Sequence, residues 1–243
     1  MKVSGRKKEK EDIISTFYSL FLELRDCKHI TLWLDNCSAQ NKSWALFTFF
    51  VYLVCNHCDH VNLELLNIKF FEPGHTFMSA DSLHHQVELQ LKRKGKVYDF
   101  QDFKNCVQNA NSKTKVIDMQ LENFFDWKDF SPKFKLNKTN PKPYLQNMVH
   151  TIFKRGNKSM DYNTSFDGPS LTLNFLIAKY VKVNNLPSPS QKQQLRGVSK
   201  QRKFTLLSKL VAILPKNRLT FWESLATNDA TGEEALYVDE DND

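Results

Sequence analysis

Residues 44–55, WALFTFFVYLVC, constrain the fold of this chain more than any other stretch. Wound into a helix they are apolar on nearly every side, so such a helix has no face to leave in water. Twelve residues fall well short of the roughly 20 that a membrane-crossing helix needs. The helix must therefore be surrounded by other parts of a folded body, and the flanking sequence supplies them. Ahead of it, Ile13, Ile14, Phe17, Leu20, Phe21 and Leu24 recur at three and four, which predicts an amphipathic helix over 11–25. Ile30, Leu32 and Leu34 alternate with Thr31 and Trp33 as a short strand. After the apolar helix, VNLELLNIKFF at 61–71 reads as a second strand, stopped by Pro73 and Gly74. Helix, strand, helix, strand predicts two parallel strands joined by a right-handed crossover, hence an α/β fold.

The first strand ends in Asp35, and the polar, turn-forming Asn36, Cys37, Ser38, Gln40 and Asn41 follow. Asp35 is thereby expected at the strand's C-terminal lip, where open α/β sheets put their chemistry. A second informative segment, EPGHTFMSADSLHHQVELQLKRKG at 72–95, reads as a loop entering a helix capped by Ser79 or Asp81. At 100° per residue, Asp81, His84, His85 and Glu88 share one face, and Leu83, Val87 and Leu91 form the opposite stripe. His75 lies on the preceding loop. Two carboxylates and two imidazoles at this spacing suit a hard or borderline metal, or form a solvated face with a capping Asp.

A hydrophobic content of 41% with 19 Phe is ample for a core, and a net charge of +7 suits a polyanionic partner. Five cysteines, with no signal peptide ahead of them, point to a reducing, intracellular setting and no membrane. Cys55, His57, Cys58 and His60 spell C-x-H-C-x-H, but no second cysteine pair closes a zinc site, so they read as helix-end side chains. Cys27, Cys37 and Cys106 read as free thiols. Cys37 lacks the base and oxyanion arrangement of a nucleophile.

Further on, 95–103 and 115–125 read as strand-like, with a short helix or loop over 105–111. Between 128 and 142, Lys133, Lys135 and Lys138 interleave with Phe130 and Phe134. This pattern either tracks a phosphate backbone while aromatic faces stack on bases, or is a basic loop with its aromatics turned inward. Lys154, Arg155 and Lys158 form a second basic cluster around a turn at Gly156-Asn157. The composition of 186–199 suggests a linker, and 200–226 a basic amphipathic helix with an aromatic segment after Pro215. The acidic tail from 227 to 243 is expected to be disordered.

DNCSAQNK together with GHTFMSADSLH resembles the core of a transposase-derived domain widespread in animal genomes, whose motif reads GHT-x-M-x-x-D-x-x-H. KFTLLSKLVAILPKNRLTFWESL at 203–225 is similar to that family's closing segment, so the resemblance runs over about residues 12–225. It implies a ribonuclease-H-like core of DDE type, partial over 11–95, with a mixed α+β extension over 96–185. It also implies metal-dependent DNA cleavage and strand transfer with Mg²⁺ or Mn²⁺. Asp35 would be the second acid and Asp81 or Glu88 the third, and the residues do not choose between these two. Asn36, Gln40, Asn41, His75, His84 and His85 would orient ligands, contact phosphate or assist proton transfer. The first acid belongs on an upstream strand, yet the residues before Asp35 read mostly as helix, with Asp26 at its end. The expectation is thus a DNA-associated, nuclear domain resembling the C-terminal part of a transposase core, catalytically incomplete. The alternative is a silent binding or interaction module.

Overall fold

A computed structural model describes residues 9–37, 41–55, 60–71, 78–127, 143–183, 186–194 and 197–228. In chain order the elements are α1 (Glu9–Glu23), β1 (His29–Leu34), α2 (Trp44–Cys55), β2 (Leu65–Phe70), α3 (Ser79–Lys94) and α4 (Phe100–Gln108). Then come β3 (His150–Lys154), β4 (Met160–Asn163), β5 (Leu171–Leu173), α5 (Ala178–Val181), β6 (Val198–Ser199), α6 (Lys200–Leu210), α7 (Thr220–Glu223) and β7 (Thr227–Asn228). The chain is α/β and divides into two compact units, 1–76 with 122–192, and 77–121 with 193–243. This partition differs from the contiguous 11–95 core read from sequence, because α3 belongs with the C-terminal elements. Among the described residues no helix is long and apolar enough to cross a membrane.

The first unit is built on a five-stranded sheet in the order β1-β2-β3-β4-β5. β1 and β2 are parallel, as the intervening α2 requires, with Ile30 opposite Leu66 and Leu34 opposite Phe70. β3 then joins the far side of β2 in antiparallel register, and β4 and β5 follow as antiparallel neighbours. The strands expected to form a separate extension thus continue the same sheet. Gly156, at φ 77°, turns β3 into β4, where a side chain would be strained.

Alternation puts Ile30, Leu66, Ile68, Phe70 and Phe153 on the buried face. Against it lies α2, with ten of its twelve residues buried. Phe50 meets Phe153 of β3 at 5.3 Å on one side and Phe17 of α1 at 6.0 Å on another. Trp127, 1% exposed, closes a further side against Phe49 at 4.9 Å. Among the described residues Ser15, Thr48 and Thr151 are polar side chains fully buried in this packing. The Ser15 hydroxyl, fully buried on α1, accepts from Trp127 Nε1 at 3.0 Å and from the Phe125 N–H at 3.2 Å. Residues 186–192 are held against 122–127: Asp126 N–H donates to Ser190 O at 2.9 Å, and Lys192 N–H to Phe124 O at 2.9 Å. The Lys192 ammonium reaches Glu11 and Asp12, both at 3.2 Å.

The second unit joins α3, α4, α6 and α7 with the short parallel pair β6–β7. The strand expected over 95–103 is instead the turn into α4. Its YDFQDF alternation mimics period two, but the Asp99 carboxylate accepts from Asp102 N–H at 2.9 Å and starts a helix. Over 115–125 the described backbone forms a short 3-10 turn, Leu121–Asn123, and a single bridge from Phe125 to Gln191 rather than a strand. Asp102 is buried, and its carboxylate takes Arg218 at 2.6 Å, Lys94 at 3.1 Å and the Tyr98 N–H at 3.1 Å. The Tyr98 N–H, aided by Lys94 and Arg218, holds Asp102 below the usual carboxylate range.

Replacing Ser15 by Ala strands two donors inside the core and should cost about 1–3 kcal/mol in urea unfolding. Thr16→Ala, at the exposed neighbouring position, should stay within about 0.5 kcal/mol of the parent. Equal effects from the two substitutions would remove Ser15 from the core account.

Candidate functional site

Asp35 follows directly on β1 and is exposed at its C-terminal lip, as the sequence predicts. Its carboxylate is not idle. Oδ1 accepts the Cys37 N–H at 3.2 Å and the Asn41 side-chain amide, which also donates to the Asp35 carbonyl at 3.3 Å. Asn41 N–H donates to Cys37 O at 2.8 Å, so Asp35 and Asn41 tie the two ends of the loop together. Ser43 then starts α2, its hydroxyl accepting from Leu46 N–H at 3.3 Å. Asn36 sits partly exposed in the turn, while Gln40 lies outside the described residues.

Lys42, between this loop and α2, was not singled out by sequence. It is 5% exposed; its ammonium donates to Gln146 O at 2.9 Å and lies 4.6 Å from the centre of the Phe70 ring. Burial pushes its pKa down to about 8. A lysine immediately before an apolar helix reads as a solvent-facing cation, and only the tertiary structure reveals that the sheet end covers it.

On α3, Asp81, His84, His85 and Glu88 are exposed, and Leu83, Val87 and Leu91 are partly buried, matching the predicted faces. Asp81 reaches back to accept the Met78 N–H at 2.7 Å, so it serves as a cap from inside the first turn, and Met78 rather than Ser79 is the capping position. Asp35 belongs to the first unit, and Asp81, Glu88, His84 and His85 to the second. Among the described residues no three His, Cys, Asp or Glu side chains converge to hold a metal ion. The described donors therefore do not fit a divalent cation, which needs several oxygens on one point. His75 lies outside the described residues, as do His57, Cys58, Lys133, Lys135 and Lys138.

The β3–β4 turn carries Lys154 and Arg155. Lys154 is bound to Asp161 at 2.8 Å, and Lys158 donates to Val181 O at 3.1 Å. Cys27, Cys37, Cys55 and Cys106 are free thiols. Cys55 is buried and donates to Asn157 O at 3.2 Å, and burial lifts its pKa to about 11.

The outer face of the sheet carries a second grouping that sequence reasoning passed over. Trp33 of β1, 47% exposed, meets Phe71 at 5.1 Å and Phe166 at 6.1 Å, and Lys69 lies over its ring at 5.2 Å. The signal was present, since Trp33 alternates with the core-facing Leu32 and Leu34.

Residues 12–165 match the family described as a domain of unknown function, DUF7869. The chain belongs to this family. The DUF7869 span runs from the first turn of α1 to just beyond β4, and so contains the Asp35 loop, α2, α3 and four strands of the sheet. No match is found among the curated proteins or among the solved structures.

Lys42 provides a test of this site with a defined sign. The unfolded chain keeps this proton to about pH 10.5 and the folded chain only to about pH 8, so stability gained from deprotonation grows with pH between the two. Below pH 8 burying the charge costs on the order of 3 kcal/mol. Melting curves of the parent and Lys42→Met should therefore differ by a margin that moves in the parent's favour from pH 8 to 10. The opposite drift from Cys55, which loses stability above pH 9, cancels in that difference. A margin independent of pH would return Lys42 to solvent.

Proposed function

We propose that this chain is a nucleic-acid-associated domain derived from the ribonuclease-H-like core of a cut-and-paste transposase, acting through binding rather than catalysis. Ancestry of this kind is supported by a parallel strand pair joined through a helix, with a carboxylate at the C-terminal lip of β1. Catalytic silence is supported by what the acids do. Asp35 closes a loop, Asp81 caps a helix, and β1 is an edge strand with no described strand on its outer side to bring a further carboxylate beside Asp35. Two metals in an in-line arrangement would need that third acid.

The observation that carries the binding reading is where the positive charge lies. Over the full sequence the first unit has twenty Lys and Arg against fourteen Asp and Glu, and the second has fourteen against thirteen, seven of these acids falling in 229–243. Some of these cations are neutralised locally, as Lys94 and Arg218 are by Asp102 and Lys104 is by Asp118. Lys92, Arg93 and Lys96 at the end of α3, and Arg202 and Lys209 on α6, have no carboxylate partner among the described residues. Cations of this kind, on a chain of net charge +7, suit DNA phosphates, and with a DNA partner a nuclear location is part of the proposal. A second reading, a protein-interaction module, is favoured by Phe204 and Ile213, which are 70% and 72% exposed on and just after α6.

Fluorescence anisotropy with a labelled DNA duplex tests the first reading. Affinity should fall linearly with the logarithm of salt concentration, and reversing Arg93 and Arg202 to Glu should lower the slope by about 1 for each phosphate that is no longer neutralised. Plasmid incubated with Mg²⁺ or Mn²⁺ should stay intact. Absence of binding at low salt would sink the nucleic-acid reading, and nicking abolished by Asp35→Ala would show that chemistry survives.

A further inference from the structure

The sheet has two faces, and the described core packs on one of them. Register places Trp33, Lys69, His150 and Asn163 in one row across β1 to β4 on the face opposite the core, with Thr31, Asn67, Ile152 and Asp161 in the next. Of these eight only Asn163 is buried. It is occupied locally, donating to Gly168 O at 2.9 Å. At the β1 end of the first row, three aromatic rings stand together in the open. Trp33 is 47% and Phe166 43% exposed, and Phe71 is partly exposed.

Their exposure sets them apart from the core rings. Inside, rings meet both edge to face, at 88° for Tyr18–Phe49 and 75° for Phe49–Trp127, and tilted, at 49° for Phe49–Phe50 and 33° for Trp44–Phe175. Outside, Trp33 is inclined by 41° to Phe71 and 34° to Phe166. Tilted rings that are this exposed leave aromatic surface open to a flat ligand.

The polar surroundings narrow the ligand. Lys69, directly opposite Trp33 in the register, brings an ammonium 5.2 Å from that ring and has no carboxylate partner among the described residues. Burial, and then Lys69 itself, hold the His150 pKa below its usual value, so the row carries the lysine charge and an uncharged imidazole. His150 is fixed to Asn67 by a 3.1 Å hydrogen bond. Two residues beyond Trp33, the Asp35 carboxylate repels phosphate from the strand tip, so bases rather than backbone would cover the indole. Flat aromatic faces, one cation for a phosphate and neutral amide and hydroxyl groups for base edges match a single-stranded nucleic acid. A duplex, with its bases stacked inside, has no ring faces to offer them.

We propose that the open face of the sheet, through Trp33, Phe71, Phe166 and Lys69, is a stacking platform for a short single-stranded stretch of nucleic acid. This deepens the nucleic-acid reading above and rests on it, but uses the first unit, whereas duplex binding through cations uses the second.

The full chain is titrated with a labelled fifteen-nucleotide poly-dT strand and with a duplex of equal length, by anisotropy and by tryptophan fluorescence. Trp33→Ala and Phe166→Ala should each weaken binding of the single strand about tenfold while leaving duplex affinity unchanged. Trp33→Phe should restore most of the loss, and Lys69→Gln should lower the salt slope for the single strand alone. Both aromatic positions are exposed, and unchanged circular dichroism and melting temperature separate a missing stacking surface from a disrupted fold. Single-strand binding indifferent to all four substitutions overturns the platform and leaves duplex binding standing. If Trp33→Ala instead converts a dimer to a monomer on a sizing column with DNA affinity intact, the face joins copies of the chain and the platform is overturned. No binding of either DNA removes the general reading and the platform with it.

Discussion

A short helix that is apolar all the way round has to be enclosed, and in this protein enclosure of α2 organises the first unit. The sheet closes one side through Phe153, α1 closes another through Phe17 and Phe21, and Trp127 fills a third. Segments distant in sequence are drawn in to complete the shell. The stretch around Trp127 is pinned by Ser15 on α1, and residues 186–192 pair against it. Because α2 begins at the sheet's C-terminal edge, its enclosure also fixes the preceding loop, buries Lys42 against Phe70 and holds Asp35 at the lip.

The two prominent acids illustrate how one residue type serves either fold or chemistry. A carboxylate that accepts local backbone N–H groups stabilises a turn or a helix start, whatever else it does. Asp35 and Asp81 both do this, so a motif that resembles a catalytic one has a sufficient structural reason to exist here. The cations at the end of α3 and on α6 that have no carboxylate partner among the described residues have no such local explanation. The proposed binding role rests on those cations.

Periodicity made α1, β1, α2, β2 and α3 legible, because each buries one face, or all faces, in a pattern visible within a dozen residues. It failed over 95–103, where Tyr98, Phe100 and Phe103 alternate with polar residues as a strand would, and the decisive Asp99 cap is a single hydrogen bond. Pairing of β3 with β2 was invisible for another reason: about eighty residues separate them, and local pattern carries no information on such contacts. Asp35 was legible as a strand end, and the faces of α3 were legible as faces. That the two motifs fall in different units was not, since assignment to a unit depends on long-range packing. Lys42 and the Trp33 group were missed because burial of a lysine and exposure of an indole invert what their side chains alone suggest.

Among the described residues of the second unit, only Cys106 and Leu219 are buried apolar side chains; beside them the buried Asp102 carboxylate binds Lys94, Arg218 and the Tyr98 N–H. Heat capacity of unfolding comes mainly from newly wetted apolar surface, and polar surface subtracts from it. The first unit, with its phenylalanine-filled interior, therefore has a strongly curved stability profile with temperature. The second has a flatter one, sensitive instead to ionic strength, so warmth and salt act on different halves of the same polypeptide.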